Sequence, residues 1–261
     1  MKYGFIGCGN MGGAIARALS RSTKDFTVTD RSGRAEALAR ELGGSYGSTE
    51  EICREARAVF LAVKPQMLRS VLEPVAPELA RRSPLLISMV AGVEISSIQA
   101  MVGAEIPVIR IMPNTPVAAG KGVVPYCCSP QVTQAQLKEV LTDLSQAGLL
   151  TPLEENLLDA ASALSGCGPA FVYQFIEAMA DGAVACGLPR KTALQFAAAT
   201  VIGSGEMVLA TGQHPGALKD AVCSPGGSTI QGVRTLEERG FRGAVMDCII
   251  AAFEKNQELG K

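Results

Sequence analysis

Tryptophan is absent from the chain and histidine occurs once, as His214. A single imidazole leaves little from which to complete a metal site. The eight cysteines, at 8, 53, 127, 128, 167, 186, 223 and 248, form no C-x-x-C pair, and the adjacent Cys127 and Cys128 have no zinc-ligand spacing around them. No metal is expected, and the thiols read as reduced, mostly buried side chains of a cytoplasmic protein. Charge of either sign is also scarce: 24 Lys and Arg stand against 25 Asp and Glu. That balance provides no electrostatic footprint for a nucleic-acid or membrane partner. No secretory leader pattern precedes the first strand, Tyr3–Ile6. The most apolar stretch, residues 193–210, is interrupted by Gln195 and Glu206, and is expected to be a packed helix rather than a membrane span.

What the chain does have is apolar bulk, 48% of 261 residues, enough to bury two packed domains. Short apolar runs at Tyr3–Ile6, Phe26–Thr29, Ala58–Val63, Leu85–Ser88 and Val108–Met112 read as buried strands. Helical patterns alternate with them at Met11–Ser20, Arg34–Leu42, Glu50–Arg54, Gln66–Leu72 and Ser96–Met101. Alternation at this rhythm predicts parallel strands with crossover helices on both faces. Strands near Gly122–Cys127 and Leu149–Thr151, with a helix over Thr133–Ala147, complete this half. After about Pro152 only helical periodicity remains. The division expected is residues 1–153 for the α/β domain and 154–261 for an all-α domain. Stripes such as Leu194, Ala197, Val201, Ile202, Val208 and Leu209 sit on helices whose other faces also carry Ala and Gly. Apolar residues on several faces require partners on several sides, and a second copy of the chain is the natural supplier.

Gly7-Cys8-Gly9-Asn10-Met11-Gly12 follows the first strand and opens the first helix. In this G-x-G-x-x-G arrangement Gly7 permits the turn, Gly9 lets the backbone approach a pyrophosphate, and Gly12 brings helix and strand close. Asn10 and Met11 then offer helix-start amides to the anion. The half is therefore expected to be a Rossmann-type dinucleotide-binding domain. The second strand ends at Asp30, whose carboxylate suits a ribose hydroxyl and NADH, but Arg31, Ser32 and Arg34 follow and suit a 2′-phosphate. NADPH is the expected donor, with NADH as the alternative. Ala62-Val63-Lys64-Pro65 leaves a strand at the carboxyl edge of the sheet, where the nicotinamide end is expected. Asn114, between Pro113 and Pro116, is either a cofactor contact or a turn cap.

In the helical half, Ser224-Pro225-Gly226-Gly227-Ser228-Thr229 precedes a helix and reads as a second anion cradle, in which the amides of Gly227, Ser228 and Thr229 project. The alternative is that Ser224 or Ser228 merely caps that helix. Taken with Phe5–Gly12, Ala62–Pro65, Met112–Pro116, Ser165–Ala170 and His214–Asp220, this segment resembles the pyrroline-5-carboxylate reductase family, in family order from residue 3 to about 253. The resemblance implies a Rossmann domain followed by a helical dimerisation domain, a homodimer able to assemble into a higher oligomer of dimers, and pyrroline-5-carboxylate as substrate. It implies that the substrate carboxylate rests on the amides of 226–229, that Val222 and Ser224 help to line the site, and that the Thr229 hydroxyl reaches the ring nitrogen. It also puts Thr49 near the adenosine phosphate, where some members have asparagine, and Cys167 where serine is common. An imine reduction needs a hydride donor and an orienting clamp rather than a strong base, which suits a chain with one histidine. Two rivals are a β-hydroxyacid dehydrogenase and a non-catalytic dinucleotide sensor. The first is disfavoured because no lysine occurs between Gly168 and Lys191. The second has no use for another anion cradle.

Overall fold

A computed structural model describes residues 2–259. The chain divides into two compact units, at Cys167/Gly168 and again at Ala251/Ala252, so the last turns of the chain belong with its first part.

The first unit is built on an eight-stranded sheet in the order β3-β2-β1-β4-β5-β6-β7-β8. Strands β1 (Tyr3–Ile6), β2 (Phe26–Thr29), β3 (Ser45–Tyr46), β4 (Ala58–Leu61), β5 (Leu85–Ser88) and β6 (Val108–Ile111) all run parallel. Strands β4 and β6 end slightly earlier than their apolar runs suggest. Successive side chains of a strand point to opposite faces, and the residues sort accordingly. Tyr3, Phe5, Phe60, Leu85, Ile87 and Ile109 join one core with helices α1 (Asn10–Leu19) and α2 (Arg34–Leu42). Ile6, Val59, Leu61, Leu86 and Val108 join the other, beneath α3 (Thr49–Glu55), α4 (Pro65–Leu72), α5 (Ala76–Arg82) and α6 (Ile95–Val102). Phe5 stacks on Phe60 at 4.4 Å between ring centroids.

The sheet is not parallel throughout. β7 (Gly122–Cys128) runs antiparallel to β6, and β8 (Gly148–Pro152) runs parallel to β7. The reason lies in the connections. A short 3-10 turn at Thr115–Ala119 joins β6 to β7, too little chain for a crossover, whereas α7 (Gln134–Asp143) bridges β7 to β8. The chain turns back from β1 in both directions, to β2 on one side and β4 on the other. This opens a crevice at the carboxyl ends of those strands.

Beyond β8, α8 (Leu158–Ala161) runs into a π-helical turn, Ser162–Gly166. The second unit holds α9 (Gly168–Ala185), α10 (Arg190–Thr211), α11 (Pro215–Val222), α12 (Ser228–Glu238) and most of α13 (Phe241–Leu259). Its buried cluster is small, Ala180, Ala193 and Ala197, with Ile176, Met179 and Leu188 packed against it. By length and composition α10 is apolar enough to cross a membrane. Phe196, Ile202 and Leu209 on it are 60%, 72% and 77% exposed.

Candidate active site

The three glycines after β1 differ in what surrounds them. A Cβ on Gly7 would lie 2.4 Å from the Ala62 carbonyl oxygen, and the residue sits at φ +103°, so glycine is needed there by the fold. A Cβ on Gly12 would lie 2.3 Å from the Gly7 carbonyl oxygen and 2.9 Å from the Ala62 Cβ, which seats α1 tightly against the sheet. A Cβ on Gly9 would meet nothing within 4 Å. Nothing in the fold demands glycine at position 9, and the space beside it is open. Gly9 is also the N-cap of α1 and no side chain caps the helix. The amides at Asn10, Met11 and Gly12 are thus available to an anion.

A cavity of about 380 Å³ opens beside this loop. Of the residues expected to hold a cofactor, Gly7, Gly9, Arg31, Ser32, Thr49, Ala62, Val63 and Lys64 line it together, whereas Asn10, Met11, Gly12, Pro65 and Asn114 do not. Asn10 instead borders a second hollow on the α1–α2 side, with Gly9 and Thr115. Pro65 is the first residue of α4, its fixed φ turning the chain from strand into helix after Lys64. Thr29 and Asp30 also line the cavity, but the Asp30 carboxylate is engaged by its own loop. It accepts from the Ser32 N–H at 3.0 Å and the Ser32 hydroxyl at 2.9 Å, while Arg34 Nε donates to the same hydroxyl. Arg31 and Lys64 are exposed and form no ion pair among the described residues. Burial pushes the Cys8 thiol up to about 12, with the Asp30 charge adding to the effect, so this sulfur stays protonated beside the loop.

Asn114 is buried, and its side chain faces protein. Nδ2 donates to the Ser165 carbonyl at 2.9 Å and Oδ1 accepts from the Val123 N–H at 2.8 Å, tying the exit of β6 to the π-helical turn. The expected turn cap is not formed, since the Asn114 side chain makes no capping bond to the Thr115–Ala119 turn and both ends of its amide reach across to other segments. Within β6 itself lies an arrangement that sequence reasoning missed. Arg110, whose side chain is 3% exposed, pairs with Glu155 at 3.2 Å and Asp159 at 3.4 Å. Glu155 also accepts from the Ile95 N–H at the start of α6. The signal was legible: a lone arginine inside the apolar run Val108-Ile109-Arg110-Ile111 must bring counter-charges with it.

The second cradle lies within the helical unit. Pro225 and Gly226 occupy the corners of a turn closed by the Gly227 N–H on the Ser224 carbonyl at 3.0 Å, with Gly226 at φ +70°. The expectation that the Gly227 amide projects toward a ligand is therefore corrected, because the turn uses it. Gly227 is instead the N-cap of α12 with no side-chain cap. Neither Ser224 nor Ser228 caps the helix, and the amides of Ser228 and Thr229 stand open at its start. Val222, Ser224, Gly226, Ser228 and Thr229 are all exposed around this turn. His214 caps α11 by accepting from the Gly216 N–H at 3.0 Å.

A switch-point crevice, a glycine-rich turn and an uncapped first helix define the dinucleotide-binding class of α/β proteins. Residues 155–259 match the family described as Pyrroline-5-carboxylate reductase dimerisation, and residues 2–92 match NADP oxidoreductase coenzyme F420-dependent. The chain is 41% identical over 266 residues to the pyrroline-5-carboxylate reductase of Escherichia coli (strain K12), covering 100% of this chain and 98% of that one. It belongs to the pyrroline-5-carboxylate reductase family. The Methanosarcina acetivorans member is 42% identical over 271 residues, with 100% and 98% covered. The crystal structure of Plasmodium falciparum pyrroline carboxylate reductase with NADP bound superposes with a TM-score of 0.90 at 35% identity, covering 100% of this chain and 98% of that one.

Proposed function

We propose that the protein reduces L-1-pyrroline-5-carboxylate to L-proline by hydride transfer from NAD(P)H, the last step of proline biosynthesis, with NADPH as its preferred donor. The observation carrying the reading is the pair of uncapped helix starts, α1 and α12, in a chain related to this family over its whole length. The bound dinucleotide supplies the hydride. The residues around Gly9 suit such a group, since the backbone leaves room there and the first-turn amides of α1 remain open. Gly7, Gly9, Asn10, Met11 and Gly12 hold the pyrophosphate, Ala62, Val63, Lys64 and Pro65 flank its further course, and Thr49 serves the adenosine end. Arg31 receives the 2′-phosphate, and Ser32 beside it holds the Asp30 carboxylate back from the ribose. In support, the Asp30 carboxylate, which in NADH enzymes grips the ribose, is already bound by Ser32.

The substrate carboxylate rests on the amides of Ser228 and Thr229, with Val222, Ser224, Gly226 and Gly227 shaping the turn around it. The Thr229 hydroxyl accepts from the protonated ring nitrogen, orienting the imine carbon and favouring the iminium form that takes up the hydride. Catalysis is then mainly orientation, with no protein base. We take residues 1–153 as the dinucleotide-binding domain and 154–261 as the helical domain that binds substrate and forms a homodimer, itself able to build larger assemblies. The exposure of Phe196, Ile202 and Leu209 supports an apolar partner surface. Eight free thiols fit a cytoplasmic setting.

The test is oxidation of NADPH and NADH by the purified protein, with and without pyrroline-5-carboxylate. Turnover that depends on the imine supports the reading. Turnover with a hydroxy acid but not the imine overturns it, and tight cofactor binding without turnover points to a sensor.

A further inference from the structure

The cavity beside Gly9 has two cations and two anions on its wall: Arg31 and Lys64, Asp30 and Glu50. The anions are not equivalent. Both Asp30 oxygens accept from Ser32, as described above. Glu50 has no hydrogen-bond or ion-pair partner among the described residues, and its neighbour Glu51 is the acid used in capping α3. Glu51 Oε2 accepts from the Ser48 N–H at 2.8 Å while its own N–H donates to Ser48 Oγ at 3.1 Å. This capping box fixes the first turn of α3, and Glu50 is left as an uncompensated carboxylate on that turn.

The sheet explains why Glu50 and Arg31 share one cavity. β2 and β3 pair in parallel, Thr27 opposite Ser45 and Val28 opposite Tyr46. Their carboxyl ends therefore emerge side by side, one continuing into Asp30-Arg31-Ser32 and the other into Ser48-Thr49-Glu50. On the reading that this cavity takes the adenosine end of the cofactor, Glu50 stands on the wall next to the ribose 2′ position.

We propose that Glu50 is a specificity-determining residue, whose charge disfavours the 2′-phosphate of NADPH and so keeps NADH usable as a donor. NADPH and NADH share their pyrophosphate and differ in charge only at the 2′ position. Any effect of Glu50 on the shared part cancels when the two donors are compared, and the ratio isolates its effect on the phosphate. A carboxylate early in a helix also favours the helix through its dipole, but that role acts equally on both donors and does not move the ratio.

The experiment compares wild type, Glu50→Gln, Glu50→Lys and Arg31→Ala by the dissociation constants of NADPH and NADH from cofactor fluorescence titration, and by kcat/KM for each donor at saturating pyrroline-5-carboxylate, at low and high salt. Thermal unfolding verifies that each variant is folded. The NADPH-to-NADH ratio should rise roughly three- to tenfold in Glu50→Gln, the effect of one charge in a solvent-filled cleft, and further in Glu50→Lys. Salt should shrink the gain, and Arg31→Ala should lower the ratio. An unchanged ratio in both Glu50 variants beside a lowered one in Arg31→Ala overturns the inference and leaves the cofactor reading standing. Unchanged ratios in all three variants remove the cavity from 2′ recognition and take both readings with it.

Discussion

At the scale of single residues, Gly9 and Gly12 separate binding from folding. Gly12→Val puts a side chain into space already filled by the Gly7 carbonyl and the Ala62 methyl, so it should unfold or severely destabilise the first unit. A Cβ at Gly9 meets no protein atom within 4 Å, which leaves room for a small branched side chain. Gly9→Val should leave the thermal midpoint near that of wild type while abolishing NADPH binding, measured by cofactor fluorescence titration. Retained affinity in a folded Gly9→Val protein would remove the pyrophosphate from this turn. Thr229 offers a parallel case in the other unit. It is exposed on the first turn of a helix with no side-chain cap, so its removal costs little stability. Thr229→Ala should lower kcat/KM by roughly ten- to a hundredfold, the effect of one hydrogen bond to a charged group. Thr229→Ser, which keeps the hydroxyl, should recover most of the loss. Equal activities for wild type and Thr229→Ala would take this hydroxyl out of the mechanism.

At the scale of elements, the strands and helices that bury apolar faces were legible, because burial writes its period into the sequence. β1, β4, β5 and β6 each supply residues to both cores and read as continuous apolar runs. β3 was not legible: Ser45 and Tyr46 are both exposed, so the pairing rests on backbone bonds alone and leaves no apolar mark. The direction of β7 was legible but unread, since the expected strands Val108–Met112 and Gly122–Cys127 leave too little chain between them for a crossover. Of the candidate site, backbone positions could be read from the glycines. The orientations of Asp30 and the Gly227 amide could not, because local hydrogen bonds decide them. The Arg110 cluster is the element-scale arrangement with the sharpest energetic consequence. It joins β6 to the segment carrying Glu155 and Asp159, whose carbonyl also accepts from Asn256 Nδ2 on α13. Arg110 Nε is buried without a partner, so its guanidinium already lies near the limit of what the surroundings compensate. Glu155→Gln with Asp159→Asn should cost about 2–4 kcal/mol in urea unfolding. Both acids are about a third exposed, and water limits the loss. Adding Arg110→Met to that pair should restore part of the stability, and a further loss instead would mean that packing by the arginine stem, not its charge, holds the segment.

For the whole molecule, buried thiols should set the alkaline limit of stability. Desolvation, as the leading cause, pushes Cys8, Cys53 and Cys127 from about 9 to about 12. The buried Tyr3 hydroxyl, desolvated and donating to Asp143 at 2.6 Å, is raised as well. These groups are acids whose folded forms hold their protons longer than the unfolded chain does. Their contribution is complete below the unfolded thiol range, about 8.5, and is lost as pH climbs toward the folded value of about 12. Each thiol released gives a slope of about 1.4 kcal/mol per pH unit, so three give about 4. Set against a total stability of about 5–15 kcal/mol, that slope should unfold the protein by roughly pH 11, with little change between pH 6 and 8. Urea midpoints taken at half-unit steps from pH 7 to 11 measure it directly. Cys53→Ala, at a fully buried position away from the cofactor cavity, should lower neutral stability but reduce the alkaline slope by one proton's worth. The same thiols should resist labelling in the native protein at pH 8, while the exposed Cys186 reacts first. A flat stability profile up to pH 11, or early labelling of Cys53, would mean that these thiols ionise in the folded state as readily as in the unfolded one.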